Sequence, residues 1–357
     1  MTTQPTPCLL LYCRAGFEKE CTQDIMRATE NLGVQGWCKA NPDSGLVLFY
    51  PGQASDMAIL RKRLLFESLT FARQLIFATG PYALAPDNRL PPLIEAAKKL
   101  HSTFSQLWLE TADTNQAKEL SSFCRKFEPH LKKALVQENL YQADAPATPR
   151  LHVFFIDSST AWVGISQPGN SSQWAMGIPR LRMPREAPSR STLKLAEAIL
   201  EMLTEKERAL FKPGRRAVDL GASPGGWTYQ LSQRGLKVTA VDNGPMNAEL
   251  LEGGLIEHLQ ADGFTFRPRH PVDWLVCDMA DKPARVVDLM AKWFERGDCK
   301  SAIFNLKLPM KRRFEEISLS RQVLESRLEK LHGHWRITAR QLYHDREEVT
   351  FAVIRDQ

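Results

Sequence analysis

Asp219-Leu220-Gly221-Ala222-Ser223-Pro224-Gly225-Gly226-Trp227 is the stretch on which the reading of this chain turns. It closes an apolar run, a predicted strand over 217–220, and opens a predicted helix over 227–234. Strand, glycine-rich turn and helix in that order form the first βα unit of a doubly wound sheet, which binds ligands at the carboxyl ends of its strands. Gly221, Gly225 and Gly226 carry no Cβ to keep a ligand from the backbone. The next predicted strand, 237–241, ends at Asp242. An acid about 20 residues past the first glycine is placed to accept hydrogen bonds from ribose hydroxyls. The loop is not G-x-G-x-x-G, no P-loop Lys-Ser/Thr lies near it, and Pro224 stands where a pyrophosphate would need an amide donor. Another nucleoside cofactor than a nicotinamide dinucleotide is expected.

Outward from this loop, helices over 191–204, 284–294 and 314–332 alternate with strands over 237–241, 274–277 and 301–307. That alternation predicts an α/β domain with a mainly parallel sheet. Runs at 335–342 and 348–354, joined by a short polar link, predict an antiparallel edge hairpin. Towards the amino terminus, predicted strands (8–13, 45–50, 70–78, 106–110, 150–156, 160–165) mix with predicted helices (18–31, 59–65, 93–101, 116–137), an α+β pattern. Asp157-Ser158-Ser159 reads as a hairpin turn. Pro179, Pro184 and Pro188, with Arg180, Arg182 and Arg185, mark 169–188 as a linker. The expected divisions are 1–53, 54–168, 169–188 and 189–357.

Lys and Arg outnumber Asp and Glu by 47 to 41 in 357 residues, a mild excess that permits a polyanionic partner without requiring one. The seven cysteines form no C-x-x-C pair, so neither a disulfide framework nor a metal site is expected, and free thiols suit a reducing cytoplasm. Met1-Thr2-Thr3-Gln4-Pro5-Thr6-Pro7 lacks a secretory signal pattern, and no run reaches the roughly 18 apolar residues of a membrane span. No apolar heptad calls for a partner, so a monomer is expected.

Four charged residues stand at the ends of predicted elements: Lys194, Asp278, Lys307 and Glu348. Singly, each looks like a solvated element end. Asp278 and Lys307, however, share the carboxyl rim of one parallel sheet. An amino-methylating Asn/Asp-Pro-Pro-aromatic loop is absent, since Asp278-Met279-Ala280-Asp281 stands there. Cys277 lies within its strand and reads as a packed side chain, not a nucleophile.

The stretch 219–227 resembles motif I of the FtsJ-like ribose methyltransferases, and Asp262 in Gln260-Ala261-Asp262-Gly263 matches that family's adenine-facing acid, though Asp-Gly is also an ordinary turn. The resemblance implies S-adenosyl-L-methionine, held by Ser189, Gly221, Ser223, Pro224, Gly225, Gly226, Trp227, Asp242, Asp262 and Asp278. It also aligns Lys194, Asp278, Lys307 and Glu348 with the family's Lys-Asp-Lys-Glu tetrad. In that reading Lys307 is the general base, its pKa lowered by the like charge of Lys194. Asp278 and Glu348 orient the two ammonium groups, with Glu347 the neighbour most easily confused with Glu348. Across the whole chain, the sequence is similar to ribosomal RNA members of this class that add a ferredoxin-like unit and a THUMP domain at the amino terminus. This implies 2′-O-methylation of one cytidine in the peptidyl-transferase loop of 23S rRNA. RNA-contact candidates are Lys311, Arg312 and Arg313, then Arg125, Lys126, Lys132 and Lys133, and the linker arginines with Arg190. A small-molecule O-methyltransferase leaves the amino-terminal half without a role; a non-catalytic RNA-binding factor leaves the tetrad without one.

Overall fold

The computed structural model describes residues 5–355 apart from 116, 144 and 146, so the start of the helix expected from Gln116, and Met1–Gln4 of the leader reading, lie outside it. The chain divides into two compact units between Pro179 and Arg180.

In the first unit the strands are β1 (Thr6–Tyr12), β2 (Gly36–Ala40), β3 (Leu46–Pro51), β4 (Gln74–Ala83), β5 (Gln106–Glu110), β6 (Arg150–Asp157) and β7 (Thr160–Ser166). Its helices are α1 (Glu18–Glu30), α2 (Asp56–Arg63), α3 (Leu90–Leu100) and α4 (Lys118–Gln137). One seven-stranded sheet results, ordered β2-β3-β1-β4-β7-β6-β5. The expected 157–159 turn does join the antiparallel pair β6 and β7. The strand expected over 70–78 begins later, because the amides of Thr70 and Phe71 donate to Asp24 Oδ2 (2.6 and 2.9 Å) and leave the ladder. It also runs further, past Pro81, by a bulge between Thr79 and Tyr82 that spares proline a missing donor.

The second unit carries α5 (Thr192–Met202), α6 (Glu205–Arg208), β8 (Arg216–Leu220), α7 (Gly226–Ser232), β9 (Lys237–Val241), α8 (Ala248–Leu251), β10 (Ile256–Leu259), β11 (Val272–Cys277), α9 (Pro283–Glu295), β12 (Cys299–Lys307), α10 (Arg313–Leu328), β13 (Trp335–Arg340) and β14 (Glu348–Arg355). Strand order is β10-β9-β8-β11-β12-β14-β13. The first five are parallel and β14 inserts antiparallel between β12 and β13, the Rossmann-like sheet with an antiparallel edge that the sequence predicts. β2 and β10 escape a sequence reading because both are short, partly exposed edge strands without an apolar alternation. One core forms where Leu195, Ala198 and Leu231 of the helices meet Ala217, Val238 and Trp274 of the sheet.

Inside the first unit, Glu110 accepts from Tyr12 Oη (2.7 Å), His152 Nδ1 (2.7 Å) and the Met176 amide. Burial alone would raise this carboxyl, but His152 and the donors outweigh it and hold it below its ordinary 4.5. A lowered folded value means the clasp stabilises fully above pH 4.5 and fails as pH falls through the folded value. We therefore expect Glu110→Ala to cost the first unit about 3–5 kcal/mol, read as faster amide exchange in β5 and β6 with the second unit unchanged. Equal loosening of both units would rule out a local clasp.

Candidate active site

The glycine loop is built by what surrounds it. Asp219, fully buried at the end of β8, accepts from Thr228 Oγ1 of α7 (2.6 Å), which ties the strand's exit to the helix it feeds. Burial, opposed by that hydrogen bond and aided by the charges of Asp278 and Asp242, lifts its carboxyl to about 7. Gly225 turns into α7 at φ +116°, a conformation that disfavours any side chain. Gly226 is pressed against the segment before α5: a Cβ there would lie 2.5 Å from Ser189 Oγ and 2.1 Å from Ser191 Oγ, which bond each other at 2.6 Å.

Asp242 braces the same loop, Oδ2 accepting from the Ser223 amide (3.0 Å) and Oδ1 from the Gly244 amide (2.6 Å). Ser223 Oγ donates to the Pro245 carbonyl (2.7 Å), and Pro224 is exposed beside it. Gly221 lies under Met279, just past Asp278. Asp262 is exposed, its Oδ1 accepting from the Phe264 amide (2.9 Å) as a turn acid does. The Trp227 side chain points elsewhere: it is 2% exposed and sits in the core with Leu195 and Trp274. The loop residues thus surround the strand ends, while the indole packs below them.

Lys194, Asp278, Lys307 and Glu348 come together at the carboxyl rim. Lys194 rises from α5, Asp278 follows β11, Lys307 ends β12, and Glu348 begins β14. The register of the last two strands makes Lys307 and Glu348 direct cross-strand partners. Lys194 Nζ lies 3.2 Å from Asp278 Oδ2 and 2.5 Å from Glu348 Oε2. Lys307 Nζ donates to Glu348 Oε1 and is 3.6 Å from Asp278 Oδ1. Burial pulls the Lys194 pKa down, but Asp278 and Glu348 together carry it above the ordinary lysine value. Burial likewise works to raise Glu348, and both lysines outweigh it, so its carboxyl falls below 4.5. Glu347 is set apart from this cluster: 62% exposed, it pairs with Arg313 at 2.6 Å.

A buried amide holds the two carboxylates in place. Asn305 Nδ2 donates to Asp278 Oδ1 (3.1 Å) and Glu348 Oε2 (3.0 Å), and its Oδ1 is 2.7 Å from Thr350 Oγ1. Thr350 Oγ1 is also 2.8 Å from Asp345 Oδ2. The one hydroxyl proton of Thr350 is thus shared between two acceptors. Burial and the nearby Glu348 push the Asp345 carboxyl well above its ordinary range. These contacts link Asp345 through Thr350 and Asn305 to both site carboxylates. Asn305 and Thr350 went unmarked in the sequence; the signal was a lone polar residue inside each apolar strand, two positions from Lys307 and from Glu348 and so on the same face. Cys277 is fully buried and its thiol is pushed up to about 12 by burial, consistent with packing. Among the described residues no cluster suited to a metal ion occurs, and no helix is long and apolar enough to cross a membrane.

Residues 187–337 match the FtsJ-like methyltransferase family. With the Rossmann-like sheet, that match makes the chain an S-adenosylmethionine-dependent methyltransferase. Residues 6–76 match the RlmM ferredoxin-like domain, and 88–167 the amino-terminal region of ribosomal RNA large subunit methyltransferase M. Proteins named ribosomal RNA large subunit methyltransferase M include one from Methylococcus capsulatus, 50% identical over 96% of both chains. Another, from Thauera aminoaromatica, is 46% identical over 96% of this chain and 94% of its own. The chain belongs to the ribosomal RNA large subunit methyltransferase M family.

Asn305→Ala withdraws two charge-assisted hydrogen bonds and one of the two acceptors of the Thr350 hydroxyl. We expect a loss of roughly 2–3 kcal/mol in the second unit, measured by denaturation, and slower methyl transfer in single turnover. Wild-type values for both would show that the amide does not hold the carboxylates.

Proposed function

We propose that the chain methylates the 2′-hydroxyl of one cytidine in the peptidyl-transferase loop of 23S rRNA, with Lys307 as general base. When bound, S-adenosylmethionine supplies a methyl group on a positively charged sulfur. The glycine loop 221–226, Ser189, Asp242, Asp262 and Asp278 line the strand ends where that cofactor would be held, and the backbone at Trp227 continues the loop. A ribose hydroxyl is a weak nucleophile, so transfer needs a base within hydrogen-bond reach and in line with the methyl. During transfer Lys307 Nζ would take up the hydroxyl proton.

The asymmetry of the two lysines carries the assignment. Lys194 is bracketed by Asp278 and Glu348, has its pKa raised, and is 15% exposed. It keeps its proton and is placed to meet ribose or phosphate. Lys307 has one close carboxylate and a longer approach to Asp278, and at 31% exposed it is the more open of the two. Asp278 and Glu348 hold both nitrogens on line. The amino-terminal unit, with its THUMP region at 54–168, supplies selection, because a ribose hydroxyl carries no base identity.

With labelled S-adenosylmethionine and 23S rRNA lacking the modification, Lys307→Ala should lose about 10²–10⁴-fold in methyl-transfer rate while retaining cofactor binding. Lys307→Arg, which cannot give up its proton, should be equally inactive. Label on a nucleobase, or a Lys307→Ala enzyme of undiminished rate, would overturn the mechanism.

A further inference from the structure

The second unit has one stretch of sheet without a helix over it. Open α/β sheets normally carry helices on both faces. Here β10 returns to β11 through residues 260–271, which contain no helix. The face carrying Ala217, Val238 and Ile256 is covered, for those residues pack into the core with Leu231. Register places Val218 beside Thr239, and Thr239 beside Glu257, on the opposite face. That side is open: Thr239 is half-buried and Glu257 exposed. A cavity of about 680 Å³ lies here, walled by Phe266 and Pro268 of the crossing loop. The size falls within the roughly 300–1,000 Å³ of ligand pockets.

Its rim is basic. Arg216 and Lys237 begin β8 and β9, and Arg267 and Arg269 flank Pro268. All four are exposed, and among the described residues none of their side chains has a hydrogen-bond or ion-pair partner. Glu257 is the single acid among the lining residues. Four unneutralised cations around a floor of mixed polarity, with one aromatic wall, are the elements of a single-strand site: the aromatic face stacks a base, and the cations hold the phosphates on either side. Phe266 is braced for this by Trp293, their ring centroids 6.3 Å apart.

We propose that this open face is a second RNA-binding site, taking an unstacked base of the substrate strand against Phe266, with the flanking phosphates on Arg267 and Arg269. The inference rests on the substrate being RNA, but not on Lys307 or the methylated position. Arg216 and Lys237 stand at the amino ends of their strands and Lys307 at a carboxyl end, so the site grips substrate on the far rim, about 15 Å or more from the chemistry for five-residue strands. It therefore acts on RNA affinity and not on the chemical step.

The test is Arg267→Glu/Arg269→Glu in the full chain, beside the charge-matched control Lys206→Glu/Lys212→Glu on exposed positions elsewhere in the unit. With an unmodified 23S rRNA fragment, the first pair should raise Kd and KM about tenfold. It should also flatten the log Kd against log salt slope by about 1.4, two single-strand phosphate contacts. Its kcat at saturating RNA and its cofactor affinity should match wild type. Photo-crosslinking with 4-thiouridine RNA should join a nucleotide to the peptide holding Phe266 and lose that adduct in the double variant. A Kd and slope equal to the control's, or crosslinks that avoid residues 260–271, would overturn the proposal. So would displacement of the crosslink by free mononucleotide at low concentration, which would mark a nucleotide pocket. A variant with weakened RNA binding beside an undiminished Lys307→Ala enzyme would separate this site's success from failure of the base assignment.

Discussion

The antiparallel seating of β14 against β12 is the constraint on which the site depends. A strand inserted in reverse beside a parallel sheet puts its first residue against its neighbour's last, and here those residues are Glu348 and Lys307. Asn305 and Thr350 are paired one step below, on the same face. A slip of β14 by one residue would turn Glu348 and Thr350 to the other face, away from Lys307 and Asn305. The hairpin at the sheet's edge is thus what completes a site that the parallel strands only begin.

Charge balance explains why this cluster tolerates burial. Two ammonium groups and two carboxylates sum to zero, and Asn305 adds a donor to an oxygen of each carboxylate that a lysine also contacts. A single buried charge would cost several kcal/mol, but a closed set with its hydrogen bonds made does not. The closure is uneven, and the unevenness is chemically useful. Glu348 serves both lysines, whereas Asp278 lies closer to Lys194, so the two amines feel different fields within one neutral group. The raised pKa of Asp345 fits the same logic: a further buried anion beside Glu348 would disturb the balance, so its charged form is disfavoured there.

Much of this was legible before any coordinates, and the reason is local. An apolar run that ends on a charged residue is a signal contained in a few positions, which is why Asp219, Asp278, Lys307 and Glu348 could be marked and the parallel sheet with its edge hairpin predicted. What escaped depends on partners distant in the chain. Asn305 and Thr350 look like flaws in buried strands until the register sets them face to face. Thr70 and Phe71 look like strand until Asp24, far away on α1, takes their amides. β10 has no apolar pattern because one of its faces is bare, and Trp227 sits within the glycine motif while its indole serves the core.

The neutrality of the tetrad bears on how a phosphate backbone is drawn in. Its lysines are committed to carboxylates, so the cluster offers little net attraction to a polyanion, although two of the most conspicuous cations in the second unit belong to it. The formal +6 of the chain must be expressed elsewhere. Arg313 is likewise committed, to Glu347, but Lys311 and Arg312 beside it are exposed without a partner among the described residues, as are Arg267 and Arg269. In the proposed reading, attraction and chemistry are carried by separate residues. That separation has a physical advantage: a base must be able to exist uncharged, while a phosphate contact must not, and one lysine cannot meet both demands at the same pH.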